Sequence, residues 1–284
     1  MGRKSNMCLE WVRGLVLVGL MPYGIVLAQD VVSDRVGATA AQFRVDESGA
    51  ATYSVPILPV PGTAGVAPQV ALSYSSQGGD GPIGRGWSVS GLSAISRCRA
   101  TREAGDFISG GIPHDGAPPA VNFTATDRFC LDGQRLLPAP GGSPACPSVT
   151  GFAVSNLRTQ SESFQRVCAY TPTASSGNGP AFFSVERQDG SISFYGDRDD
   201  WIASATRTDG YVSSTAIGHT AKALSWWQTR FQDSTGNYIN YRYIANPGGA
   251  SYPGESVIDA IEYTGKKQLA GQSGGNLAPY AKVQ

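Results

Sequence analysis

Apolar residues recur at every second position through most of this chain, and that period restricts its fold more than any other feature. Tyr53, Val55 and Ile57 fall on one side of their segment, with Thr52 and Ser54 on the other. Val70, Leu72 and Tyr74 alternate in the same way with Ala71, Ser73 and Ser75. A strand sends successive side chains to opposite faces, so the pattern reads as antiparallel sheet with one face on a core and one face wet. Turn chemistry separates the strands. Pro61-Gly62 divides the first two, and Asp132-Gly133 and Asp209-Gly210 mark later reversals. Phe183 and Val185 lead into Asp189-Gly190, after which Ile192 and Phe194 return on the other side. Trp226 and Trp227 precede a turn from Asp233 to Asn237, and Ile239, Tyr241 and Tyr243 follow. Asp-Gly and Gly-Asn pairs supply the positive φ of tight hairpins. The 36 glycines and 18 prolines suit many short strands joined by turns. Segments 109–122 and 138–148 are Gly/Pro-rich loops. The expected fold class is all-β, built of antiparallel strands and hairpins.

The N-terminus has another character. Arg3, Lys4 and Arg13 come before an apolar run that closes on Val26-Leu27-Ala28, ahead of Gln29. That order is the basic, apolar and small-x-small layout of a signal peptide. The run covers about 14 residues, short of the roughly 20 that cross a bilayer, and Pro22 and Gly24 interrupt it. The expected organisation is a signal peptide over 1–28 cleaved between Ala28 and Gln29, a linker over 29–46 and a β domain over 47–284. The destination is extracellular, with the periplasm or cell surface as related compartments. No membrane span is expected once the signal is removed.

Export bears on the cysteines. Cys8 leaves with the signal peptide, and Cys98, Cys130, Cys146 and Cys168 remain. Four cysteines in an oxidising compartment read as two disulfides, with three pairings open. Their spacing contains no C-x-x-C, and neither His114 nor His219 stands at a zinc-ligand offset.

Reactive chemistry is thinly represented. His114 lies in a Pro/Gly loop beside Asp115, and His219 has no better company. Asp197, Asp199 and Asp200 cluster without the glycine and distant glutamate of an EF-hand loop. No G-x-S-x-G elbow occurs. The 22 basic and 22 acidic residues cancel, which argues against nucleic acid or an anionic membrane as partner. No catalytic, cofactor-binding or metal-binding residue is assigned, and no cofactor is expected.

One stretch looks like an exception. In GGDGPIGRGWSVSG, residues 78–91, Gly79, Gly81 and Gly84 spell G-x-G-x-x-G. A dinucleotide loop needs a helix after it, whose N-terminus holds the pyrophosphate. Here Trp87 and Val89 alternate with Ser88 and Ser90, which is strand periodicity. The glycines are therefore assigned to a tight reversal and a bulge.

Several blocks carry a resemblance. Pro56 to Thr63 resembles a P-I-x-x-P-P-G-T turn, Leu72 to Ser75 an L-S-Y-x-S strand, and Gly84 to Arg97 a G-x-G-W-x-L-x-G-L-S-x-I-x-R segment. Blocks at 127–137, 182–196, 233–243 and 256–265 resemble the same family, the SpvB-type domain. That domain opens the B components of Tc toxins and many Rhs/YD-repeat polymorphic toxins. Val89 departs from it, standing where leucine is usual. Pro56, Pro61, Gly62, Tyr74, Gly84, Gly86, Trp87, Gly91, Asp132, Gly133, Asp189 and Gly190 are the family-motif structural positions. The resemblance implies part of a β-shell wall enclosing a toxic C-terminal segment. It implies no reaction, because the family's ADP-ribosyltransferase lies in a separate domain and no E-x-E pair occurs here. The implied partners are downstream Rhs or propeller regions, separately encoded toxin subunits and the enclosed toxin polypeptide. The chain is expected to be truncated at its C-terminal end, where YAKVQ reads as a strand still running.

The other reading is a stand-alone secreted adhesin or carbohydrate-binding domain. Its platform would be the aromatic hairpin of Trp226, Trp227, Phe231, Tyr238, Tyr241 and Tyr243, with one alternating set in the core and the other facing a glycan.

Overall fold

The structure is a computed structural model that describes residues 40–81, 83–101, 121, 123, 127–174, 179–196, 211–213, 223–245, 256–271 and 273–284. All strand pairings among the described residues are antiparallel, in keeping with the alternation. The first four-stranded sheet runs in the order β1 (Gln42–Val45), β2 (Ala51–Ile57), β3 (Val70–Ser75) and β6 (Trp87–Ser90). Between β3 and β6 the chain makes a small hairpin of β4 (Asp80–Gly81) and β5 (Gly84–Arg85). β1 lies inside the stretch assigned to a linker. Its residues are all exposed, so no one-sided burial accompanies its pairing with β2.

Next come β7 (Ala94–Cys98), β8 (Arg128–Leu131), β9 (Gln134–Pro138) and β10 (Phe152–Thr159). β11 (Arg166–Pro172), β12 (Phe182–Glu186) and β13 (Ile192–Gly196) follow, each paired with the strand before it. β14 (Tyr211–Ser213) pairs with β15 (Ala223–Gln232). β15 also pairs with β13 and with β7, so the hydrogen-bonded path returns to where it began. Eight strands, β7 to β13 with β15, close into a barrel.

Every barrel strand contributes to one cluster. Ile95, Leu131, Leu136, Val167, Phe183, Val185, Tyr195 and Trp226 are buried in it, with Phe129 and Leu157 packed alongside. An eight-stranded barrel is just wide enough for side chains to fill, and this one is filled. Trp226 is 0% exposed and meets Phe183 edge-on at 4.9 Å and Phe129 at 5.5 Å. Its indole N–H donates to the Pro180 carbonyl at 3.1 Å. In β13 the residue turned into the barrel is Tyr195, directly opposite Phe183. Phe194 stands opposite Ser184 and is buried outside this cluster.

The barrel's outer wall is covered locally. Phe182 stacks on Tyr170 at 4.4 Å and meets Phe152 edge-on at 5.2 Å. The Pro- and Gly-rich loop lies over this patch through Cys146 and Val149, and the Cys146–Cys168 disulfide ties it down. A second disulfide, Cys98–Cys130, links β7 to β8. Sequence separations of 32 and 22 residues correspond to about 3–4 kcal/mol of denatured-state restriction each in the chain-entropy picture.

β16 (Asn237–Ala245), β17 (Ser256–Lys266) and β18 (Ala281–Val283) extend the sheet beyond β15. Ile239, Tyr241, Tyr243, Ile261 and Tyr263 form a second core, which Val70, Ile57, Val66 and Leu92 of the N-terminal part join. The Tyr263 hydroxyl donates to the Val60 carbonyl at 3.0 Å, and the Tyr243 hydroxyl to that of Gln228 at 3.0 Å. Burial pushes the Tyr241 phenol up to about 12, so this core stays uncharged.

Segment 87–97 reads as one strand by alternation, yet it is two strands in different sheets. Gly91 makes the break at φ +88, and a Cβ there would sit 2.0 Å from the Gln69 carbonyl oxygen. Gly91 is the corner at which the chain leaves the first sheet for the barrel.

Replacing Trp226 by alanine removes the largest side chain of the barrel core. Urea unfolding is expected to show a loss of about 3–5 kcal/mol. At the β15–β16 turn, the Asp233 carboxylate accepts from the backbone N–H of Thr235 and Asn237 at 2.9 and 2.8 Å. Partial burial pushes its pKa up, but hydrogen bonds from Asn237 and Thr235 outweigh that and hold it below 3.8. A carboxylate depressed in the folded state stabilises above its unfolded pKa, and that stability is lost as pH falls through the folded value. Asp233→Ala is therefore expected to cost about 1 kcal/mol at neutral pH, after discounting for exposure. The deficit should shrink below about pH 4 in a pH series of denaturant melts.

Candidate assembly surface

His114, His219 and the Asp197, Asp199 and Asp200 cluster lie outside the described residues, as do Ala28 and Gln29. Among the described residues no group of three or more His, Cys, Asp or Glu side chains could hold a metal. No helix there is long and apolar enough to cross a membrane.

The 78–91 loop folds back between two strands of one sheet. β6 follows the Gly79, Gly81 and Gly84 triplet, where a dinucleotide site needs a helix. The Ser75 amide donates to the Gly86 carbonyl at 2.9 Å, and the Gly86 amide to Gly79 at 2.8 Å. Gly86 has φ +77, and a Cβ there would meet the Ser75 carbonyl oxygen and the Tyr74 ring at 2.7 Å. Tyr74 and Trp87 are directly opposite each other, with ring centroids 5.3 Å apart. Pro56 is an exposed position on β2, and Pro61-Gly62 leads into a short 3-10 turn at Thr63–Gly65.

Asp132 and Gly133 form the two-residue β8–β9 turn, with φ 48 and 82, the signs of a type I′ hairpin. Asp132 also accepts from the Ala94 amide at 2.9 Å and the Ser93 hydroxyl at 2.7 Å. That fixes the start of β7 against the barrel end. Asp189 accepts from the Ser191 amide at 2.8 Å and shapes the β12–β13 turn with Gly190.

The aromatic hairpin supplies no exposed platform. Trp226 fills the barrel, while its neighbour Trp227 points to the other face and stacks on Tyr243 at 5.6 Å in the second core. Phe231, Tyr241 and Tyr243 belong to that second core too. Tyr238 lies under the Arg230 guanidinium at 4.3 Å. Both alternating sets are consumed by packing because β15 is shared between two cores, so neither set is left to face a glycan.

A buried ion pair was not anticipated. Arg97 bonds Asp127 at 3.2 Å with both side chains 4% exposed, and its Nε donates to the Ala223 carbonyl at 2.8 Å. Phe123, Phe129 and Trp226 lie 5.4–5.7 Å from the guanidinium. Desolvation lowers the Arg97 pKa and the Asp127 charge opposes that shift. The signal was present in the alternation, since Ile95 and Arg97 share a face.

What stays exposed includes part of a sheet face and several sheet edges. The register Phe43–Tyr53–Tyr74–Trp87 runs straight across the N-terminal sheet. Phe43 is 66% and Val45 61% exposed. A groove on this sheet is lined by Ser54, Ser73, Ser88 and Arg44 together with Tyr74 and Trp87. Among the described residues β1 and β6 are the edge strands of the N-terminal sheet, β18 ends the long sheet, and β14 pairs with β15 alone.

A family model described as "Salmonella virulence plasmid 65kDa B protein", SpvB, matches residues 45–256. The chain belongs to the SpvB family. It is 27% identical to the mono(ADP-ribosyl)transferase SpvB of Salmonella typhimurium over 248 residues, which is 82% of this chain and 36% of that protein. The Salmonella choleraesuis protein of the same name is 29% identical over the same length. The chain thus spans about a third of the length of the curated relatives it matches. A solved TcdB2-TccC3 structure superposes with TM-score 0.60 and 20% identity, over 84% of this chain and 11% of that one. The N-terminal domain of SpvB from Salmonella typhimurium strain LT2 gives 0.51 and 22%, over 77% and 67%. These likenesses are of fold. The matched part of SpvB is its N-terminal domain rather than its transferase domain. Membership and fold together make the chain a toxin-related structural module of the SpvB family.

Substituting Gly91 by alanine forces a Cβ against backbone at a corner with positive φ. A loss of about 2 kcal/mol or more is expected in denaturant melts. Gly142→Ala, also at positive φ but with nothing within 4 Å of its Cβ, should cost less.

Proposed function

We propose that this SpvB-family chain is an exported, non-catalytic wall module of a Tc/Rhs-type toxin. In this reading it contributes sheet to a shell that encloses a toxic polypeptide. One observation carries it: the barrel interior is filled by side chains from all eight strands, so this part of the fold offers packed wall where an enzyme would need a cavity. The similarity to TcdB2-TccC3 and to the SpvB N-terminal domain supports the same role. Its partners are neighbouring β modules of the same toxin system or separately encoded subunits, together with the enclosed polypeptide. The open β18 edge, with the apolar Ala281 and Val283 directed to the second core, suits continuation of the sheet by such a neighbour. Disulfides Cys98–Cys130 and Cys146–Cys168 suit an oxidising compartment and agree with a signal peptide over 1–28.

The reading as a carbohydrate-binding adhesin relied on the aromatic hairpin, and burial of Trp226 together with stacking of Trp227 removes its support.

Co-expression with the toxin polypeptides of the native locus, followed by affinity capture and limited proteolysis, tests the proposal. The chain is expected to co-purify with them and the enclosed polypeptide to resist cleavage. A chain that captures none of them, leaving that polypeptide protease-sensitive, overturns it. N-terminal sequencing of the exported protein should begin at Gln29.

A further inference from the structure

The β1 edge has a self-complementary layout. In an antiparallel pair, residues alternate between those whose N–H and C=O point to the partner and those whose groups point away. The Asp46 amide donates to the Ala50 carbonyl, while Ala51 bonds Ser76 on the other side through both its amide and its carbonyl. Counting back in register, Arg44 and Gln42 face β2, so the main-chain groups of Phe43 and Val45 point to the open edge. No proline, lysine or bulge guards that edge, although such features commonly blunt exposed strands.

We propose that β1 pairs with β1 of a second copy of this chain, antiparallel about a two-fold axis at Phe43. In that register Phe43 opposes the Phe43 of the second copy, Val45 opposes Ala41, and Arg44 opposes Gln42. Apolar residues then meet apolar residues on one face, and an amide meets a guanidinium on the other. Phe43, Ala41 and Val45 each exchange main-chain hydrogen bonds with the residue opposite. The alternative centre at Arg44 sets two guanidinium groups side by side, which is unfavourable for like charges directly opposite. Loss of Arg3, Lys4, Arg13 and Glu10 with the signal peptide leaves the exported chain a net charge of only about −2, so long-range repulsion between copies is weak. The aromatic row Trp87–Tyr74–Tyr53–Phe43 ends at this edge, and pairing continues it into the second copy. So short a strand buries little area, which makes the dimer weak and concentration-dependent.

The test uses the full exported chain in sedimentation from low to high micromolar concentration, together with cysteine variants. A reversible dimer is expected, and Phe43→Cys should form an intermolecular disulfide, because hydrogen-bonded pairs bring Cα atoms to about 5.5 Å. Arg44→Cys alone should not cross-link, whereas a mixture of Gln42→Cys and Arg44→Cys chains should. Phe43→Lys should weaken the dimer by about tenfold or more. Circular dichroism should be unchanged, since Phe43 is exposed. A monomer throughout, or a dimer that persists in Phe43→Lys and is trapped by Arg44→Cys alone, overturns the proposal.

Discussion

The structure depends on one strand having to serve two cores. β15 pairs with β7 and β13, which closes the barrel, and also with β16, which extends the sheet beyond it. Adjacent side chains on a strand point to opposite faces. The Trp226-Trp227 dipeptide therefore sends one indole into the barrel and the other against Tyr243. Removing either ring would open a void in one core, which close-packed interiors do not absorb without cost. Closure also hides the barrel's own edges, leaving edge strands only outside it.

Around this frame, covalent and polar ties hold the irregular segments. Cys146–Cys168 fastens the Pro- and Gly-rich loop over the stacked Tyr170 and Phe182. Cys98–Cys130 and the Arg97–Asp127 pair secure the end of β7. A buried guanidinium is tolerable there because Asp127, a backbone carbonyl and three aromatic faces replace its water. Rigidity is thus spent inside, while the N-terminal sheet keeps an uncovered aromatic face and an unguarded edge. That distribution suits a component of an assembly better than a self-sufficient binding domain.

Local pattern was readable where it had a local cause. The Asp132-Gly133 turn needs two consecutive positive φ angles, and those residue types announce it. The alternation of Val70, Leu72 and Tyr74 follows from burial of one sheet face. β1 was not readable, because its alternation of Phe43 and Val45 with Gln42 and Arg44 lasts only four residues and no face of it is buried. The split of 87–97 was hidden for another reason. Strand periodicity continues through Gly91, and only its close approach to Gln69 shows that the chain changes sheets there.

The sequence by itself determined the antiparallel all-β class, the hairpin turns, the count of cysteines available for disulfides and the resemblance to the SpvB family. Each is carried by residues near one another in the chain. Tertiary structure alone decided which cysteines pair, that the sheet closes on itself, and that Trp226 is buried in one core while Trp227 packs against the other. Those outcomes turn on contacts between residues far apart in sequence, such as Phe129 with Trp226, and no local period records them.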